Sequence, residues 1–200
     1  MTSVVQYSMP RTGSTLIRRI LYQVFPEYEQ PSQHPPGQYS DLDILIISCR
    51  HPLDVLVSVA RIGGASEIDD STLDHYLPGL EMQYRIYFSD LSRFKGKKLK
   101  FKYEKFWNNY NHIFNRLETF FGVEIPQSDR DRIEESCCTK NTKKIQSKLS
   151  GFNQVDNKTK IHGNHIATPE PFNYKKILTD IQIEFLKQRL HDAIQEWKEL

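Results

Sequence analysis

The chain has 200 residues, with 27 Lys and Arg against 25 Asp and Glu, for a formal net charge of +2. That length suits a single domain spanning residues 1–200 with its own hydrophobic core, and so mild a charge excludes the broad basic surface of a nucleic-acid binder while allowing a local basic pocket. The three cysteines, Cys49, Cys137 and Cys138, are odd in number and two are adjacent, which fits neither a disulfide framework nor metal-ligand spacing.

Val4 to Ser8 reads as a short strand, followed by a turn over Pro10 to Ser14. Thr15 to Phe25 has helical periodicity, with Leu16, Ile17, Ile20, Leu21 and Val24 on one stripe. Pro and Gly cluster from Pro26 to Gly37, as in a loop. Ile44 to Ser48 is a continuous β-branched run, as expected of a parallel strand covered on both faces. Pro52 opens a second helix, with Asp54 in its first turn and Gly63 and Gly64 as stops.

Thr72 to Phe94 reads as a helix interrupted at Pro78-Gly79. Lys98 to Tyr103 alternates apolar residues with lysines, as a strand does. Asn109 to Phe121 and Asp129 to Cys138 read as helices. Thr139 to Thr168 is polar and without a clear period. Asp180 to Leu200 reads as one terminal amphipathic helix. This order predicts an α/β fold with a mostly parallel central sheet flanked by helices. In such folds ligands sit at the carboxyl ends of the strands.

Two loops occupy such positions. Pro10-Arg11-Thr12-Gly13-Ser14-Thr15 joins the first strand to a helix N-terminus. Unpaired N–H groups, a partial positive charge, a permissive glycine, two hydroxyls and a guanidinium together suit a phosphate or sulfate. The alternative is a plain strand–helix corner with Ser14 or Thr15 as N-cap. The loop is not a Walker A motif. In the second loop, Arg50 follows the buried strand, and Ser58 lies eight residues on, in line with position 54. Arg50 and Ser58 can converge on one anion; alternatively Arg50 is a structural cation and Ser58 a helix serine.

Here the sequence resembles the sulfotransferases that use PAPS (3'-phosphoadenosine 5'-phosphosulfate). Pro10 to Thr15 is similar to their 5'-phosphosulfate loop, Pro-(Lys/Arg)-(Ser/Thr)-Gly-(Ser/Thr)-(Ser/Thr). Arg50 to Ser58 resembles their 3'-phosphate motif, Arg-x-Pro-x-Asp-x-x-x-Ser. Tyr103-Glu104 resembles the Tyr-Glu-Asp segment whose Tyr lies near the adenine. Phe120-Phe121-Gly122-Val123 resembles their Phe-Leu-Gly-Val. The likeness runs from Val4 to about Val123. It implies a P-loop-like sulfotransferase fold, PAPS as co-substrate, PAP as product and no metal at the reacting centre. It further implies that Arg11 contacts the 5'-phosphosulfate and stabilises the charge developing on the leaving phosphate, and that Thr12, Gly13, Ser14 and Thr15 hold the phosphosulfate. Arg50 and Ser58 would bind the 3'-phosphate, with Tyr103 by the adenine.

The chain also departs from that pattern. The gap between the loops is short and offers Glu27, Glu29 and His34 as general bases; His34 suits the role best by its ordinary titration range. The family's late Arg-Lys-Gly loop has Lys160 and His162 in a suitable place, which otherwise read as a polar surface loop. Lys140, Lys143, Lys144 and Lys148 form a basic run, either a solvated face or an attractor for an anion. The acceptor class is open: a small molecule, a glycan or a lipid. The N-terminus lacks a basic segment followed by an apolar one, and no stretch of about 18 apolar residues occurs. A cytoplasmic protein without membrane insertion is therefore expected. Two rivals stand beside this reading. One is a nucleotide kinase, disfavoured by the missing Walker lysine. The other is a PAPS- or PAP-binding domain without activity.

Overall fold

Four parallel strands form one sheet in the order β2-β1-β3-β4: β1 Val4–Tyr7, β2 Ser32–Gln33, β3 Ile44–Cys49 and β4 Lys97–Lys102. The computed structural model describes residues 4–26, 32–33, 43–151, 153–156, 159, 161–163 and 170–199. The β1–β3 register pairs Val4 with Ile44 and Gln6 with Ile46, and β3 pairs with β4 along its whole length. The short β2 falls inside the segment expected to be loop, adding an edge strand beside β1.

Alternation along the strands sends side chains to two cores. Val4, Ile46, Leu99 and Phe101 meet α1 (Ser14–Val24), α5 (Tyr110–Phe121) and α6 (Gln127–Cys137) through residues such as Ile17, Ile20, Phe114 and Ile133. Val5, Tyr7, Leu45 and Ile47 meet α2 (Pro52–Ile62) and α3 (Asp70–Arg93) on the opposite face. The C-terminal helices α8 (Asp180–Arg189) and α9 (His191–Lys198) pack into this second core through Leu186, Leu190 and Ile194. Both faces being covered explains why β3 is a continuous apolar run. It also confirms the predicted α/β architecture with a parallel sheet flanked by helices.

Some expected boundaries move. No break occurs at Pro78-Gly79: α3 is continuous from Asp70 to Arg93. Both residues are exposed, so the backbone carbonyl that proline cannot serve faces water. Burial of Leu73, Leu77, Leu80 and Tyr84 on the inner face outweighs the roughly 3 kcal/mol interior-proline penalty. The expected single terminal helix is two, parted at Leu190, whose backbone (φ −103°, ψ 23°) leaves the helical region. Part of the stretch without a clear period is helical: α7, Thr139–Gln146. Tyr103 opens a one-turn helix, α4 (Tyr103–Phe106), at the end of β4. No helix among the described residues is long and apolar enough to cross a membrane.

Candidate functional site

The first loop leaves β1 and turns sharply into α1. Arg11 and Gly13 both adopt left-handed backbone conformations, with φ of 66° and 84°. Gly13 is required twice over, because a Cβ there would lie 2.7 Å from Phe106 Cζ and 2.8 Å from Tyr103 Cδ2. The loop thus packs its backbone directly on the aromatic rings of α4. Gly13 is the N-cap of α1, and no acidic residue stands in the first turn. Ser14 and Thr15 make no side-chain cap, so the alternative of a hydroxyl-capped corner does not hold. The helix start presents N–H groups and positive potential at this loop.

Thr12 works from below. It is buried, and its hydroxyl donates to Met9 O at 2.8 Å and lies 3.0 Å from Ser48 Oγ. Ser48 N–H and Oγ in turn bond Ser8 Oγ at 2.8 and 3.0 Å, and Gln6 Nε2 donates to the same oxygen at 2.7 Å. This buried polar cluster ties the ends of β1 and β3 to the loop. The Thr12 side chain thus braces the loop from beneath.

The second loop brings its cation to the first. Arg11 Nε donates to Ser58 Oγ at 3.1 Å, joining the first loop to α2. Burial, and then the neighbouring charge of Arg50, push the Arg11 pKa down to about 10, leaving it charged at neutral pH. Arg50 is 4% exposed and lies over the Tyr103 ring with its guanidinium carbon 4.6 Å from the centroid. Burial pushes the Tyr103 hydroxyl well above its ordinary range, a shift that Arg50 and Arg11 oppose. Arg11, Ser58, Arg50 and Tyr103 thus form one cluster at the carboxyl ends of β1, β3 and β4. Ser58 reaches it through Arg11, while Arg50 pairs with Asp54, one turn before Ser58.

That pairing was not foreseen. Arg50 Nε lies 3.6 Å from Asp54 Oδ2, and Arg50 NH2 donates to Glu170 O at 2.8 Å. Asp54 also accepts from Phe172 N–H at 2.6 Å and Tyr174 N–H at 3.0 Å. Burial raises its pKa, opposed by Arg50 and these two backbone donors. The segment around 170–174 is therefore a strap across the second loop. His51, the N-cap of α2, stacks on Tyr174 at 4.6 Å and meets Trp197 edge-on at 4.7 Å. Glu104 accepts from His51 N–H at 2.8 Å and Trp197 Nε1 at 3.2 Å. The i,i+4 spacing of Arg50 and Asp54 was the available signal; the strap, distant in sequence, had none.

Of the other expected residues, His34, Glu27, Glu29 and Lys160 lie outside the described residues. His162 is half-buried in an isolated antiparallel bridge with Val155. A cavity of about 20 Å³ beneath the first loop is lined by Met9, Thr12, Ser48, Tyr84 and Tyr87. It is too small to admit an acceptor.

No protein-family model and no curated protein matches the chain. Solved structures do. A mouse sulfotransferase, SULT7A1, complexed with PAP superposes with a TM-score of 0.70 at 12% identity, over 99% of this chain and 88% of that one. Retinol dehydratase with androsterone and inactive cofactor PAP gives 0.67 at 11%, and its complex with retinol and PAP 0.68 at 12%. Each of the latter two covers 95% of this chain and 80% of theirs. The likeness extends over almost the entire chain, and with the parallel sheet and its loop-to-helix corner it shows that this chain has the sulfotransferase fold.

Proposed function

We propose that the chain binds PAPS and transfers its sulfuryl group to a hydroxyl or amine acceptor, releasing PAP. The observation that carries this reading is the convergence of Arg11 and Arg50. Two guanidiniums close enough to depress the pKa of one of them meet at a helix N-terminus, on loops leaving adjacent parallel strands. Such an arrangement repels itself and favours a ligand with two separated anionic groups.

In this reading PAPS supplies the activated sulfuryl group, and the chain orients it. The backbone amides of Gly13, Ser14 and Thr15 hold the 5'-phosphosulfate. Arg50 and Ser58 hold the 3'-phosphate, and Tyr103 lies by the adenine. The acceptor atom attacks sulfur in line, and the bond from sulfur to the bridging phosphate oxygen breaks. Arg11 stabilises the charge that grows on the departing phosphate. The acceptor's proton goes to a base, for which His34 is proposed. Positioning and electrostatics supply most of the rate.

The test is calorimetric titration with PAP, with 5'-AMP and Mg·ATP as controls. Tight PAP binding with weak AMP binding supports the reading, because only PAP carries the 3'-phosphate. A preference for ATP, or no PAP binding, overturns it in favour of phosphoryl transfer. PAP binding without turnover on any acceptor would leave a PAP-binding domain.

A further inference from the structure

A cavity of about 700 Å³ opens beside α1, between that helix, α7 with Lys148 just beyond it, and Asp156 and Thr159. Its size is that of a small-ligand pocket. Among its described lining residues are four cations, Arg18, Arg19, Lys144 and Lys148, against one carboxylate, Asp156. None of Arg11, Gly13, Ser14, Thr15, Arg50, Ser58 or Tyr103 lines it. Arg18 and Tyr22 follow Ser14 by one and two helical turns, about 6 and 12 Å along the axis. The cavity is thus a neighbour of the first loop on α1, with walls of its own.

The charges in this cavity are not equivalent. Arg19 is committed to the fold: its guanidinium donates to Thr142 Oγ1 at 2.9 Å and Ser136 O at 2.6 Å, bracing α1 against α6 and α7. Asp156 accepts from Thr159 N–H at 2.7 Å and Thr159 Oγ1 at 2.6 Å, which occupies one carboxylate oxygen. Lys144 and Lys148 are exposed. Arg18 donates through one terminal nitrogen to Tyr22 Oη at 3.1 Å, but its Nε is buried with no hydrogen-bond partner. A half-buried guanidinium with one donor unmet is stabilised by an anion brought close to its terminal nitrogens. The lysine run of the sequence, which the reaction leaves without a role, supplies the facing charges.

We propose that this cavity is a second anion-binding site, which takes a compact, multiply charged phosphate or sulfate ester while the nucleotide loops are filled. Arg18 supplies the directional donor contact, and Lys144 and Lys148 supply point charges from the opposite wall.

Inorganic pyrophosphate is the probe, titrated calorimetrically into the full chain with and without saturating PAP. The PAP-saturated protein is expected to bind one pyrophosphate. Arg18→Gln/Lys148→Gln should weaken that binding at least tenfold and leave PAP affinity within twofold. The exposed pair Lys144→Gln/Lys148→Gln is the second variant, should the first unfold on circular dichroism, and it too should weaken binding several-fold. Three results overturn the proposal: no pyrophosphate binding to PAP-saturated protein, direct competition between the two ligands, or binding indifferent to both variants. If PAP itself fails to bind, the pyrophosphate site still stands or falls on the variants alone.

Discussion

At the scale of single residues, the proposed roles of Arg11 and Arg50 are separable. Arg50 faces a ligand charge present in both substrate and product, so Arg50→Ala should weaken PAP binding about ten- to hundredfold by calorimetry, the loss of one charge-assisted phosphate contact. Unchanged affinity would remove it from the 3'-phosphate site. Arg11 meets charge that grows during transfer, so Arg11→Ala should lower kcat by about two orders of magnitude, far more than it lowers PAP affinity. Equal losses would make it an ordinary binding residue. His51 gives a different signal. Burial, helped by Lys175, Lys187, Lys102 and Lys198, depresses its pKa to about 4 from 6.5. Below pH 6.5 the unfolded chain takes up a proton that the folded one refuses. Stability should therefore fall as pH drops from 6.5 towards 4, by about 3 kcal/mol from this group. Urea unfolding against pH measures this, and in His51→Asn, which keeps an N-cap acceptor, the slope should flatten over that window.

Elements enter the site through their ends. β1, β3 and β4 each stop where a loop turns to a helix, and α4 holds the first loop by lying against Gly13. The Asp54 carboxylate ties the strap at 170–174 to α2 by two backbone hydrogen bonds, beside the stacking of His51 on Tyr174. Asp54→Ala would strand the Phe172 and Tyr174 N–H donors and remove a carboxylate from the buried Arg50. A cost of about 3 kcal/mol in urea unfolding is expected, with faster proteolysis near the strap. Asp54→Asn retains an acceptor oxygen and should cost less. If both variants unfold like the parent, the strap is held by aromatic packing on His51 and not by the carboxylate.

For the molecule as a whole, the two cores lie on opposite faces of the sheet, and the cationic cluster sits at its carboxyl edge, touching elements from both. Anion binding there should relieve repulsion between Arg11 and Arg50 and stabilise the entire fold. PAP at a hundred times its dissociation constant should add about 2.7 kcal/mol. For a chain of this length that is a Tm rise of about 5 to 10 °C. 5'-AMP at the same concentration should raise Tm less. Equal shifts from both ligands would show that the 3'-phosphate is not read.

Local patterns carried much of this. The apolar run Ile44 to Ser48 announced a strand covered on both sides, and Pro52 announced the helix after it, because periodicity and fixed φ are properties of the chain itself. The placement of Arg11, Gly13 and Arg50 on loops after strands was legible, because a strand that ends before a helix start fixes where such a loop lies. The rest was decided in three dimensions. Pro78 stays within a helix because a buried face about three turns long outweighs one lost hydrogen bond. Ser58 meets Arg11 because β1 and β3 lie side by side, which the 46 residues between them in sequence do not reveal. Asp54 holds backbone N–H groups 118 and 120 residues away. Sequence alone determined which groups have the chemistry to meet an anion, since that belongs to residue type and local turn. Only the tertiary structure decided which of them lie together, since that depends on strand order and on burial that makes each partner count.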